Sequence, residues 1–211
     1  MTYRCVAEAL LKTGCVGLSP EAPYTLTSGK TSPVYVDARK ILSYPDVRAL
    51  VMASLTDKAR DLIARHTINV IAGGETAGIP YAAMLADRLN LPMIYIRKKP
   101  KDFGRGRQIE GELPENARVL LVEDLMSFGS SKKVFLDALA HAEATVPALA
   151  VVFSYDLFDW GAALAPHPIP DMASVVTWQD VYAFVKRNRS LFSHHADFLE
   201  NFLARPEDFI K

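Results

Sequence analysis

Cysteine is nearly absent from this chain of 211 residues, where Cys5 and Cys15 are the two thiols. That scarcity excludes a disulfide framework and a cysteine-built metal site, and it points to a reducing cytoplasm. An excess of one charge is also missing. Twenty-four basic side chains balance 24 acidic ones, so the broad basic surface of a nucleic-acid binder is lacking and only a local cluster remains. No apolar run reaches the length of a membrane span, and Glu8 interrupts the N-terminal stretch where a signal peptide would need continuous apolar residues. Neither G-x-x-x-x-G-K-[ST] nor a well-placed G-x-G-x-x-G occurs, which sets aside doubly wound kinases and dehydrogenases. Internal repeats are absent. Adjacent His194 and His195 would point in different directions on a helix, so they do not make a metal pair.

What is present is apolar material, 50% of the residues, enough for one sizeable core. The most informative stretch runs from Arg118 to Lys133. Val119, Leu120, Leu121 and Val122 form an apolar run too short for a helix, with the character of a strand buried on both faces, and it ends in Glu123 and Asp124. A small-residue turn follows, with Ser127, Gly129, Ser130 and Ser131, and then an amphipathic run through Val134, Phe135, Leu136 and Leu139. A helix start offers unpaired N–H groups and the positive dipole end, so this turn is a phosphate cradle. Two acids just before it would repel a bare phosphate. They suit the hydroxyls of the same ligand, bound directly or through Mg²⁺. Phosphate at one end and diol at the other describe a ribose 5-phosphate. The same residues would also serve as a helix cap and an ordinary loop.

The remaining chain alternates helices and short strands. A helix is expected over residues 3–14, closed by Gly14, and two short strands with a turn between Tyr24 and Asp37. A long helix follows from Asp46 to Arg65, then a strand through Ile68, Val70 and Ile71 that ends in a glycine turn at Gly73 and Gly74. Ile79 to Leu89 reads as a helix and Met93 to Ile96 as a second buried strand. Between Arg97 and Arg107 stand six basic residues with Gly104 and Gly106 among them, too dense to bury, which suits a loop that orders on an anion. Val146 to Tyr155 and Ala173 to Val176 read as further strands, and Trp178 to Lys186 and Ser193 to Leu203 as closing helices. Alternation of this kind predicts an α/β fold with a mostly parallel central sheet flanked by helices.

Three stretches carry a family resemblance. V-E-D-L-M-S-F-G-S-S, from Val122, resembles the phosphoribosyl pyrophosphate (PRPP) signature of the type I phosphoribosyltransferases. R-K-K-P-K-D-F-G-R-G, from Arg97, resembles the catalytic loop of the orotate-specific branch, and Y-T-L-T-S-G-K-T-S-P-V-Y-V-D, from Tyr24, its orotate-side segment. The resemblance implies the type I phosphoribosyltransferase fold over residues 1–211, with a small N-terminal hood of helix and strand in 1–45 and a core with C-terminal helices in 46–211. It implies a cytoplasmic enzyme of pyrimidine biosynthesis that moves ribose 5-phosphate from PRPP to orotate with Mg²⁺. The metal would be held through PRPP, with Glu123 and Asp124 as possible ligands.

By the same resemblance Lys98 and Lys101, with Arg97, take the pyrophosphate charge, and Thr76 and Ala77 belong to a pyrophosphate loop from Gly73 to Gly78. Glu123 and Asp124 take the ribose hydroxyls, and Ser127, Gly129, Ser130 and Ser131 the 5-phosphate. Lys98, Lys101 and Asp124 are the catalytic candidates. Ser28, Lys30, Tyr35 and Ser127 are candidates for orotate, and the loop is expected to act across a homodimer interface. The chain departs from the pattern at Phe103, where a histidine is common, at Thr27, where a lysine is common, and at Leu157, where an arginine holds the orotate carboxylate. Met126 and Phe128 make the phosphate loop more apolar. Two further functions share these motifs: transfer to another base, and non-catalytic sensing of PRPP or a nucleotide.

Overall fold

The computed structural model describes residues 3–26, 29–100, 107–127, 130–157 and 159–210, with the backbone alone described for Ser130, Ser131 and Ser193. Helix α1 (Val6–Lys12) is followed by Gly14 at φ +64°, the left-handed conformation that glycine adopts without steric cost. Its inward face includes an acid. Buried Glu8 accepts from the Arg4 backbone N–H at 2.7 Å and meets Lys12 Nζ at 2.8 Å. Lys12 and then Arg4 outweigh the cost of burial and hold this carboxyl at about 2.

Strand β1 (Val16–Leu18) comes next, then a hairpin of β2 (Tyr24–Thr25) and β3 (Thr31–Ser32), and β4 (Val34–Val36) pairs antiparallel with β1. The sequence predicts two strands here and none at β1; three residues carry too little alternation to be read. A 3-10 helix over Ala38–Ser43 is capped by Asp37, whose Oδ1 accepts from Lys40 N–H at 3.2 Å. Helix α2 (Pro45–His66) opens with proline at a position that has no N–H partner to lose, and Thr67 ends it in the left-handed region.

The central sheet is built from β5 (Val70–Gly74), helix α3 (Gly78–Leu89), β6 (Met93–Ile96), β7 (Ile109–Glu110), β8 (Arg118–Met126), helix α4 (Ser130–His141), β9 (Thr145–Ser154), helix α5 (Trp160–Leu164) and β10 (Asp171–Thr177). Its six strands stand in the order β10-β9-β8-β5-β6-β7, all parallel except β7, which runs antiparallel to β6. Period-two alternation buries both faces. Ile71, Leu120, Val122, Ala148 and Val152 pack with residues of α1, α2 and α3, whereas Val70, Ala72, Val119, Leu121 and Val151 pack with α4 and Leu164 of α5.

The glycine turn expected at the end of β5 lies one step further along the chain. Gly73 and Gly74 lie inside β5, both buried, and do not form a turn. A Cβ on Gly73 would stand 2.8 Å from the Ile79 backbone, so glycine is needed for α3 to pack onto the strand. The turn itself is Glu75–Ala77, with a cis Glu75–Thr76 peptide bond.

Beyond the sheet, α6 (Trp178–Arg187) starts with a capping box between Thr177 and Asp180, and α7 (Ser193–Ala204) and a 3-10 turn (Pro206–Asp208) follow. Phe153, Tyr155, Trp178 and Phe202 meet edge to face with centroids 5.1–6.1 Å apart, and Leu157 packs against the same core. Among the described residues, no helix is long and apolar enough to cross a membrane.

Candidate active site

Strand order fixes where a ligand can sit. From β5 the chain moves outward to β6, and from β8 it moves the other way to β9 and β10, so connections diverge between β5 and β8. At such a switch point the carboxyl ends of open α/β strands leave a crevice. A cleft of about 270 Å³ lies there, lined by Glu75, Thr76 and Ala77 after β5, Lys98 after β6, Glu123 to Leu125 and Ser127 on β8 and its end, Lys132 on α4, and Arg39 from the 3-10 helix.

Glu123 and Asp124 fall within the last four residues of β8, since the strand continues to Met126 rather than stopping at Val122. Successive strand residues point to opposite faces. Glu123 therefore shares the face of Leu121, and Asp124 that of Val122. Glu123 is buried, and its Oε2 stands 3.1 Å from Nζ of Lys132, which is equally buried. Its Oε1 lies against Gly74 and Gly78, where any Cβ would collide with it. The glycines of this segment thus make room for a carboxylate of the protein. Burial pushes the Glu123 carboxyl up to about 6, with Lys132 opposing the rise and Asp124 adding to it. Asp124 is half-buried and is the member of the pair more open to the cleft.

Lys98 is exposed, and its backbone N–H donates to Glu75 Oε2 at 2.7 Å, which ties the start of the basic segment to the turn after β5. Arg97 N–H donates to the Gln108 carbonyl at 2.9 Å, and Gln108 Nε2 donates to the Arg97 carbonyl at 2.8 Å. The arms of the basic segment are therefore the antiparallel pair β6 and β7, which no periodicity in two residues could announce. The Arg97 guanidinium lies 3.7 Å from Glu110.

The structure thus brings Thr76, Ala77, Lys98, Glu123, Asp124 and Ser127 together. Lys30 and Tyr35 are exposed and are not among the lining residues; Tyr35 instead meets Tyr24 with ring centroids 5.4 Å apart. Ser28, Lys101, Phe103, Phe128 and Gly129 lie outside the described residues, and Ser130 and Ser131 open α4. Sequence reasoning missed Arg39 and Lys132, and it named Glu75 only as part of the Gly73 to Gly78 loop, without a role of its own. For Lys132 a signal existed, because it stands three, four and seven residues before Phe135, Leu136 and Leu139 and so shares their inward stripe. Arg39 and Glu75 sit in short irregular segments with no periodicity to place them.

Residues 38–166 match the phosphoribosyl transferase domain family. Orotate phosphoribosyltransferase of Jannaschia sp. (strain CCS1) is 45% identical over 201 residues, covering 95% of this chain and 88% of the relative. Among solved structures, orotate phosphoribosyltransferase from Aeropyrum pernix is similar with a TM-score of 0.70 at 28% identity, covering 86% of this chain and 99% of that one. Leishmania donovani UMP synthase is similar with a TM-score of 0.75 at 27% identity, over 95% of this chain and 42% of that longer one. With the parallel sheet, the switch-point cleft and the acid pair on β8, these matches show that the chain belongs to the orotate phosphoribosyltransferase family.

Proposed function

We propose that this chain transfers the ribose 5-phosphate unit of PRPP to orotate, giving orotidine 5′-phosphate and pyrophosphate in pyrimidine biosynthesis. The observation that carries the reading is the convergence of the acid pair, Ser127 just beyond it and a lysine-flanked turn at one switch-point cleft. In the reaction, the bond from the anomeric carbon to a pyrophosphate oxygen breaks and its electron pair leaves with pyrophosphate. A bond from a ring nitrogen of orotate to that carbon forms, and the nitrogen's proton passes to solvent. Positive charge develops on the sugar and negative charge on the leaving group, so catalysis is a matter of holding charge and alignment.

On this reading Asp124 binds the ribose hydroxyls, and Glu123 stands behind it, fixed by Lys132. Thr76 and Ala77 line the pyrophosphate side with Lys98, and Lys101 and Arg97 add cationic charge. Ser127, Gly129, Ser130 and Ser131 serve the 5-phosphate, with Ser127 also near the base. Lys30, Ser28 and Tyr35 remain hood candidates for orotate, in an arrangement of hood (1–45) over core (46–211). Free Cys5 and Cys15 suit a cytoplasmic enzyme.

Mg²⁺ fits the oxygen donors here. Asp124 offers a carboxylate to the cleft, while Glu123 is engaged by Lys132, and among the described residues no cluster of three metal-binding side chains forms. A hard cation would then be held largely by oxygens of PRPP, with Asp124 as the protein's contribution. When bound, it would neutralise charge on the departing pyrophosphate.

Incubating the protein with Mg²⁺ and PRPP while following orotate loss and pyrophosphate release tests the reading, with uracil and purine bases in parallel. Orotate-dependent release supports it. Release with another base alone, or tight PRPP binding without any release, contradicts it.

A further inference from the structure

Resting on that transferase reading, a second question concerns the base. Orotate carries a carboxylate on its ring, so three anionic groups need separate places: this carboxylate, the diphosphate of PRPP, and its 5-phosphate, which the reading above gives to the turn between β8 and α4. Among the described residues, three cations line the cleft, Arg39, Lys98 and Lys132. Lys132 is buried against Glu123 at 3.1 Å. Lys98 follows β6 beside the Glu75–Ala77 turn, to which its backbone is bonded, and so belongs to the diphosphate end. Arg39 reaches the cleft from the other side. It projects from the 3-10 helix that packs against β8, is exposed, and has no carboxylate within ion-pair distance among the described residues.

Its backbone is firmly placed. The fully buried Tyr81 hydroxyl donates to the carbonyl of Ala38 at 2.6 Å, anchoring the 3-10 helix to α3, and Asp37 caps the same turn. The guanidinium is thus a free charge on a fixed support, close to Asp124 and Ser127, where the sugar lies on the present reading. A planar guanidinium fork matches a carboxylate with two parallel hydrogen bonds, which a lysine cannot do. Leu157 is uncharged and packs into the core. From this arrangement we infer that Arg39 is the specificity-determining residue for the base, its guanidinium binding the carboxylate of orotate.

Steady-state kinetics of Arg39→Ala and Arg39→Lys test the assignment, with melting temperature as the control for folding. Losing a charge-assisted pair raises the orotate KM about tenfold or more. The PRPP KM stays unchanged, and preference for orotate over uracil, which lacks the carboxylate, falls by a similar factor. Arg39→Lys, which keeps the charge and loses the fork, lies between. A rise confined to the PRPP KM, or no change in either constant, overturns the inference while leaving the transferase reading intact. Wild-type protein that turns over no orotate defeats the transferase reading, and calorimetry then decides the inference separately. Orotate binding weakened about tenfold in Arg39→Ala sustains it; equal binding by both proteins, or none by either, overturns it.

Discussion

Glu123 shows how one residue's surroundings differ from what its place in a motif suggests. An acid at the end of a buried strand reads as a ligand for hydroxyls, yet its carboxylate is packed between two glycines and a buried lysine. Removing one partner of a buried ion pair leaves the other charge uncompensated, so Lys132→Met should lower stability by about 3–5 kcal/mol at neutral pH, measured by denaturant unfolding. The sign of its pH dependence follows from Glu123. Its carboxyl in the folded chain titrates at about 6 against an ordinary 4.5, so the native state holds the proton more tightly than the unfolded chain. The cost of the buried charge is absent below about 4.5, grows as pH rises, and is complete above about 6. The Lys132→Met defect should therefore shrink on acidification toward pH 5. An equal defect at pH 5 and pH 8 would contradict the pairing. This contact was hard to read in the sequence because the two residues belong to different elements, and a lysine early in a helix ordinarily faces solvent.

At the scale of elements, legibility followed the length of the pattern. The apolar run of β9 and the long periodic α2 stand where periodicity puts them, because many residues report the same face, whereas β8 runs four residues past the end of its apolar run. Strands β1 and β7, with three and two residues, carry no such redundancy. Gly73 and Gly74 mislead for another reason: glycine marks close approach as well as turns, and here the close approach is of α3 and the Glu123 carboxylate. Gly78→Ala tests that account. Its Cβ would meet Glu123 and the Val122 carbonyl, so overpacking should cost about 1–3 kcal/mol and reduce turnover by displacing Glu123. Unfolding curves and turnover identical to wild type would show that the segment relaxes freely and that the glycine has another role. Arg39 was illegible at this scale, since its 3-10 helix is placed by Tyr81 and Asp37 rather than by periodicity.

For the whole molecule, the basic segment leaves the sheet edge through β6 and β7, on the far side of β5 from the acid pair. We propose a homodimer in which this segment's Lys101 serves the partner's cleft. Such sharing predicts complementation: Lys101→Ala and Asp124→Asn, each nearly inactive, should recover roughly a quarter of wild-type activity when refolded together, because half the dimers are mixed and each holds one intact site. Recovery that does not exceed the sum of the separate variants would mean that each loop serves its own subunit.

The central claim is that Asp124, the half-buried acid of the β8 pair, holds the reacting sugar while Glu123 is tied to Lys132 behind it. The most direct measurement is the PRPP dependence of turnover in Asp124→Asn, which removes one charge and little volume from a half-buried position. The expected result is a melting temperature close to wild type with kcat/KM for PRPP lowered roughly a hundredfold, the loss of charged hydrogen bonds to the ribose hydroxyls. A well-folded Asp124→Asn protein with wild-type kcat/KM would contradict it and place the chemistry elsewhere.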